Sequence, residues 1–445
     1  MTQFDPEAHN AEVALRLYDR AADWDYEVDG VALDRGRIVP QRLNATLGGR
    51  GRRFYPSLPF PLKHPVVDGG VYDAEGRIVA IGAHLRDPLR NVPLPIPEPV
   101  RRDEPWRGNW VFGGRLSGHF GHFLTESLGR LWWLEETEAP RDAGLAYLWH
   151  SRLPPGHAVP ASVRRQWPFI GRVLDLLGVP WEPRLVGGPV RADRLFVPSQ
   201  LMALTSGPQV AGHPRFRRFV ARLADHAEVA AGPRAASLYV SRSRLDAAHG
   251  RILLDAWLDE VFAAAGYAVV HPQDLPMEAQ LSLYRSAERI VFSEGSAIHL
   301  FALVARPEQR VGIILRRFPA MARFLNQLRA AGLTEVTNFD AVAAVALPAA
   351  RPDGAQPAFN LKYSDTVLDY PKLVRTLVAA GFLPSASAGA TAPDAAHLPF
   401  ADRATELAGV FAGLDFELVP RARVRERLKA MDRTEPMPAP GPRRG

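Results

Sequence analysis

The residues best suited to chemistry lie between Gly118 and Leu134, Gly-His-Phe-Gly-His-Phe-Leu-Thr-Glu-Ser-Leu-Gly-Arg-Leu-Trp-Trp-Leu, where two histidines and a carboxylate sit at helical spacing in an apolar run. At about 100° per residue, His119, His122, Glu126 and Arg130 fall within an arc of about 80°, while Phe120, Leu124, Leu128 and Leu131 gather on another side. The spacing predicts an amphipathic helix. Gly118 and Gly121 leave its first turn open, so His119 belongs either to the helix or to the entering loop. Glu126 and Arg130 are i,i+4 neighbours in both cases. Imidazole, with an ordinary pKa of about 6.5, exchanges a proton near neutrality, so the stripe suits acid–base work as well as it suits a solvated face. A metal site fits less well, because two histidines and one carboxylate form a loose pattern and no further ligand cluster accompanies them.

A second group surrounds Ser293-Glu-Gly-Ser-Ala297. A short Gly/Ser turn between a strand and a helix leaves backbone N–H groups free at the helix N-terminus, a setting that favours phosphate or diphosphate. Ser241-Arg-Ser-Arg244 and Arg251 bring guanidinium groups towards the same sheet edge, and arginine forks match phosphate oxygens. Ordinary surface pairing explains most arginines in a chain this rich in them. Glu294 would repel a phosphate, so it is expected to face a sugar hydroxyl.

These groups need a frame, and the hydrophobic pattern supplies one. Residues 1–105 are rich in Gly and Pro, with β-like runs such as Gly76 to Gly82 and a stiff extended connector from Asn91 to Pro99, and read as an irregular β-containing lobe. Over 106–231, apolar runs at Leu145 to Trp149 and Leu195 to Val197 alternate with helical patterns at Arg165 to Leu177 and Phe216 to His226, an α/β unit. A more regular rhythm fills 232–383: strands at 238–241, 267–271, 289–293 and 310–315 alternate with helices at 251–266, 277–287 and 297–304. That alternation predicts a parallel sheet covered on both faces. A linker at 384–399 then leads to a C-terminal helix and basic tail at 400–445.

Composition narrows the function classes. A chain of 445 residues with 47% hydrophobic content has ample material for two or three cores. With no cysteine it has no disulfide, thiol nucleophile or cysteine-based zinc site. The amino terminus is polar and acidic, and no apolar run approaches the roughly 18 residues of a membrane span, so a cytoplasmic location is expected. Net charge is +6, and residues 421–445 hold eight basic against three acidic side chains, or +5. Such a tail reads first as a solvated helix end. It would also suit peripheral contact with the anionic inner face of a membrane. Nucleic acid is not expected, because the body is near neutral and shows no basic patch interleaved with aromatics.

Two separated blocks together carry a resemblance. Gly121 to Leu131, Gly-His-Phe-Leu-Thr-Glu-Ser-Leu-Gly-Arg-Leu, resembles the histidine-containing block of glycosyltransferase family 61, the capsular-polysaccharide and xylosyltransferase-like proteins. Tyr239-Val-Ser-Arg242, His271-Pro-Gln-Asp-Leu275, Glu278-Ala-Gln280, Ala287 and Gly295-Ser-Ala297 resemble that family's donor-side half, in the same order. The resemblance covers roughly 108–315. It implies a GT-B architecture, two Rossmann-like domains facing across a cleft, and inverting transfer of a sugar from a nucleotide-diphosphate sugar to a glycan, polysaccharide or lipid-linked glycan acceptor. It implies no obligatory cofactor or metal. His122 aligns with the family's block histidine and Arg242 with the arginine closing the Ser-Arg strand. Gly295 and Ser296 align with a turn that usually reads His-Gly-Ala-Gly, where Glu294 replaces the histidine and Ser296-Ala297 replace Ala-Gly.

Inverting transfer requires a base on the acceptor hydroxyl and a charge sink for the departing diphosphate. His122 is the expected base, with His119 as its substitute and Glu126 orienting the ring or holding a sugar hydroxyl. Arg242, Arg251 and the turn at Gly295 and Ser296 are expected to steady the diphosphate. Two rival readings stand beside this one: a non-catalytic glycan-binding or assembly protein on the same fold, and a metal-dependent hydrolase built on His119, His122 and Glu126.

Overall fold

The computed structural model describes residues 30–43, 67–84, 93–94, 103–135, 140, 142–149, 159–203, 212–229, 233–318, 323–352, 354–357, 359–390, 400–411 and 413–431. The chain is mixed α/β and divides into two compact units, Met1–His226 and Ala227–Gly445.

The first unit is organised by an eight-stranded sheet in the order β4-β3-β2-β8-β5-β6-β7, with β1 paired to β8. Its strands are β1 (Gly30–Asp34), β2 (Arg37–Leu43), β3 (Val67–Tyr72), β4 (Pro93–Leu94), β5 (Glu104–Leu116), β6 (Gly144–Trp149), β7 (Pro183–Leu185) and β8 (Val190–Pro198). Strands β8, β5, β6 and β7 run parallel, whereas β1 and β2 pair antiparallel to β8 and β3 pairs antiparallel to β2. The early β-containing segment and the α/β segment that follows therefore share one sheet. The expected β-run from Gly76 to Gly82 is instead a turn, a single bridge at Ile78 and a 3-10 turn at Ala80–Gly82. Asp73 accounts for the turn: its carboxylate accepts from the Glu75 and Arg77 backbone N–H groups, which bends the chain back on itself. Most of the connector from 91 to 99 lies outside the described residues; Pro93–Leu94 form β4. The helices are α1 (Phe120–His122), α2 (Val163–Gln166), α3 (Pro168–Leu176) and α4 (Pro214–Val229).

The second unit holds a parallel sheet of five strands: β9 (Ser237–Val240), β10 (Ala268–Val270), β11 (Arg289–Ser293), β12 (Arg310–Ile314) and β13 (Val336–Phe339). Their spatial order, β10-β9-β11-β12-β13, is a doubly wound order with its direction reversing between β9 and β11. Helices α5 (Asp255–Ala264), α6 (Met277–Ser286), α7 (Ala297–Val304) and α8 (Arg323–Ala330) connect the strands. The four anticipated strands are all present. The fifth was unread because Val336-Thr-Asn-Phe339 is short and half polar. A three-stranded antiparallel sheet of β14 (Val342–Pro348), β15 (Thr366–Leu368) and β16 (Phe416–Pro420) completes the unit, with α9 (Tyr370–Ala379), α10 (Phe400–Val410) and α11 (Arg421–Ala430). Phe262, Val291, Leu373, Leu407 and Val424 share one core, so the C-terminal helices pack on the second unit. Part of the tail's charge is answered there: Arg421 pairs with Asp340 at 2.5 Å and Arg427 with Glu417. Residues 432–445 lie outside the described residues. No helix among the described residues is long and apolar enough to cross a membrane.

Candidate active site

The histidine block begins where β5 ends. Ser117 and Gly118 carry the chain out of the sheet, His119 caps α1, and the backbone then widens into a single π turn over Phe123–Ser127 before a 3-10 turn at Leu131–Glu135. The expected continuous helix is therefore broken in two places. Gly121 and Gly129 lower the cost of leaving the α-helix, and Glu126, Ser127 and Arg130 each have a partner outside it. Nor is the segment a surface helix: Phe123, Leu124, Leu128 and Leu131 are fully buried, and Glu126 and Arg130 are only 1% exposed. The turn is fastened by neighbours. Tyr147 on β6 donates to the Ser127 carbonyl at 2.9 Å, the Ser117 N–H donates to Ser127 Oγ at 3.0 Å, and Leu201 N–H donates to the Gly129 carbonyl at 2.8 Å. Gly113 is required under this arrangement, because a Cβ there would lie 2.3 Å from the Tyr147 ring.

Glu126 is the centre of the block. Its Oε1 lies 2.5 Å from His122 Nδ1 and its Oε2 lies 2.9 Å from His84 Nε2, so one buried carboxylate joins two imidazoles. His122 keeps 27% of its side-chain surface exposed, whereas His84 is buried. His119 is exposed and stands edge-on to His122, with ring centroids 5.0 Å apart. Of the two candidate bases, His122 bonds to the carboxylate, and that contact orients its ring. Arg130, expected beside Glu126 on one stripe, turns to backbone carbonyls: it donates to Ile81, to Ala83 at 2.6 Å and to Pro198. These bonds hold the segment that bears His84 against the end of β8. Burial pulls the Arg130 guanidinium down to about 9, which still leaves it charged at neutral pH. His84 was missed in the sequence. It lies 42 residues before Glu126 in a Gly- and Pro-rich stretch, and no local spacing connects the two.

In the second unit, Arg242 follows β9 and the Glu294-Gly295-Ser296 turn follows β11, so they flank the point at which strand order reverses, at the carboxyl ends of the strands. Open α/β sheets place ligands at such points. Arg242 donates to the carbonyls of His249 at 2.6 Å and Gly250 at 3.0 Å. Its NH1 passes directly over Gly295, where a Cβ would sit 2.6 Å from it. Gly295 is thus needed for the guanidinium to lie on the turn. Burial, reinforced by the neighbouring Arg317 charge, lowers Arg242 to about 10, and it too stays charged at neutral pH. Ser296 is the N-cap residue of α7 and is partly exposed.

Glu294 does not face outward as expected. It is fully buried; Oε2 accepts from the backbone N–H groups of Arg316 at 2.9 Å and Arg317 at 3.1 Å, and Oε1 accepts from the Arg317 guanidinium at 2.7 Å. Burial pushes the carboxyl up, but the Arg317 and Arg316 charges and their N–H bonds overcome it and hold the group below its ordinary value. Glu294 therefore staples the end of β11 to the chain leaving β12. Arg316 and Arg317 were unread in the sequence, although two arginines immediately after an apolar strand were visible. Arg251 is anchored beside this group: its backbone N–H donates to Asp365 at 2.7 Å and its NH1 to the Ser243 carbonyl at 3.0 Å.

Ser243, His271 and Asp259 meet next to Arg242. Ser243 Oγ is 2.6 Å from Asp259 Oδ2 and 2.8 Å from His271 Nε2, and that same Nε2 lies 3.2 Å from Asp259. A nucleophilic relay needs the acid and the serine on opposite imidazole nitrogens, so this trio lacks relay geometry. Among the described residues no group of three or more His, Asp or Glu side chains is arranged to hold a metal ion.

Against known proteins, residues 120–311 match the family model Glycosyltransferase 61. No curated protein matches the chain. The matched stretch begins at α1 and ends within β12, so it contains His122, Glu126, Arg242, Arg251 and the Glu294-Gly295-Ser296 turn.

Proposed function

We propose that this chain, whose residues 120–311 match the Glycosyltransferase 61 model, is an inverting transferase moving a sugar from a nucleotide-diphosphate sugar to a hydroxyl of a glycan, polysaccharide or lipid-linked glycan. A GT-B architecture is part of the proposal. The observation that carries it is Arg242 lying over Gly295 at the strand-order reversal of a parallel sheet, beside the N-terminus of α7. A guanidinium and a helix end at one crevice suit a diphosphate, both in the donor and as the leaving group.

His122 is the base in this scheme. The acceptor O–H bond breaks, its proton passes to His122, the oxygen attacks the anomeric carbon, and the sugar–diphosphate bond breaks on the opposite side. Glu126 orients the imidazole and balances the positive charge the ring acquires. Arg242 and the Gly295-Ser296 turn receive the charge of the leaving diphosphate, with Arg251 supporting Arg242 through the Ser243 segment. The buried, doubly bonded Glu294 takes no part in the transfer; it shapes the turn. No metal is assigned to the reaction, and the basic residues beyond Arg421 are proposed as a peripheral contact for anionic lipid at the cytoplasmic face.

A panel of nucleotide sugars, each incubated with the protein and scored for released nucleoside diphosphate, tests the proposal. Release from at least one donor, stimulated by a glycan acceptor and retained in chelator, is expected. Donor binding without release from any member would favour the non-catalytic reading, and full loss of activity in chelator would contradict the mechanism.

A further inference from the structure

We propose that His84 is a positioning residue for His122, acting through Glu126, and that it sets the tautomer in which His122 works. The proposal rests on the assignment of His122 as base but concerns a residue outside the matched stretch of 120–311. Glu126 Oε1 faces His122 Nδ1 at 2.5 Å and Oε2 faces His84 Nε2 at 2.9 Å. An ionised carboxylate only accepts hydrogen bonds, so each facing nitrogen carries a proton. His122 is then the Nδ1–H tautomer, with its lone pair on Nε2, and His84 is the Nε2–H tautomer. The Nε2 lone pair takes the acceptor proton; one O–H bond breaks and one N–H bond forms, and the imidazolium produced lies against the Glu126 charge.

Burial gives the second imidazole its role. The Glu126 side chain has no exposed surface, and a carboxylate removed from water keeps its charge only when donors replace the lost hydration. His122 supplies one donor and His84 another. Arg130 secures the second by donating to the carbonyls of Ile81 and Ala83, the residues that lead into His84. His119 stands edge-on to His122, and Arg130 keeps its guanidinium on the backbone. Order passes from Arg130 through His84 and Glu126 to His122.

Nitrogen-15 NMR of the histidine rings in the full chain at neutral pH tests the proposal without substrate, alongside kcat/KM for nucleoside diphosphate release. In the native protein His122 is expected as the Nδ1–H tautomer and His84 as the Nε2–H tautomer. In His84→Leu the His122 signal should revert to the mixed tautomers of a free imidazole and kcat/KM should fall tenfold or more. His84→Gln keeps an N–H donor facing Glu126 and should restore both to within threefold. An Nε2–H tautomer of His122 in the native protein overturns the inference, as does an unchanged His122 spectrum in His84→Leu. If His84→Leu fails to fold, the native spectrum and His84→Gln still decide. Failure of every donor to release nucleotide would sink the transferase reading and leave the tautomer result standing.

Discussion

Glu126 and Glu294 are both buried carboxylates just beyond the carboxyl end of a parallel strand, yet their partners give them different work. Glu126 is held by two imidazoles, groups that gain and lose protons near neutrality. Glu294 is held by a guanidinium and two backbone N–H groups, which do not. In the proposed mechanism the first exchanges charge with the substrate through His122. The second is locked as an anion and serves as a staple. A buried acid is therefore read for chemistry only after its partners are known.

Breaking the staple should have the largest effect. Glu294→Ala leaves Arg316 and Arg317 without their buried counter-charge and should cost about 3–5 kcal/mol in urea unfolding. A loss below about 1 kcal/mol would remove the staple role. Because the folded carboxyl lies below its ordinary value, the stability it contributes is present above the unfolded pKa of about 4.3 and fades as pH falls through the folded value. Acid unfolding of the native protein should therefore be steeper than that of the variant.

Glu126→Gln should show the opposite profile, with turnover down on the order of 10²–10³-fold and a stability loss of only about 1–2 kcal/mol, since the amide fills the same space. Equal stability losses at the two glutamates would erase the contrast. Arg242→Ala should weaken donor binding about 10–100-fold by titration calorimetry, as expected for removal of a charged phosphate contact.

A third buried acid sharpens the comparison. Asp255 is 7% exposed and its Oδ2 has no hydrogen-bond partner among the described residues. Burial raises it to about 7, with Arg251 opposing. Between about pH 4 and pH 7 the folded state then holds a proton that the unfolded chain has released, so stability falls as pH rises through that window. Asp255→Asn should gain about 1–3 kcal/mol at pH 8 and little near pH 4, measured by thermal unfolding. The smallest effect is expected from Gly295→Ala, whose methyl must push Arg242 aside and should weaken donor binding roughly threefold to tenfold without unfolding the protein.

Sequence patterning was most readable where the chain makes its own contacts locally. Strands β9 to β12 announced themselves as short apolar runs between helical patterns, and His122 and Glu126 were paired by their i,i+4 spacing. Contacts between distant segments left no such trace. His84 reaches Glu126 across 42 residues, and Arg130 reaches Pro198 across 68. The same long-range bonds accompany a buried, broken helix in place of the expected amphipathic one: Glu126 bonds His84 as well as its neighbour His122, and Arg130 bonds backbone carbonyls outside the segment. Glu294 was visible as a residue at odds with a phosphate, but only the backbone leaving β12 shows where its charge goes.

The central claim, that the histidine block performs the proton transfer of a glycosyl transfer, is tested most directly by nucleoside diphosphate release from a responsive donor by His122→Ala and His119→Ala. His122→Ala should lose at least about 10²-fold in kcat with donor affinity within threefold of native, and His119→Ala should lose less than about tenfold. Native turnover in His122→Ala would contradict the account.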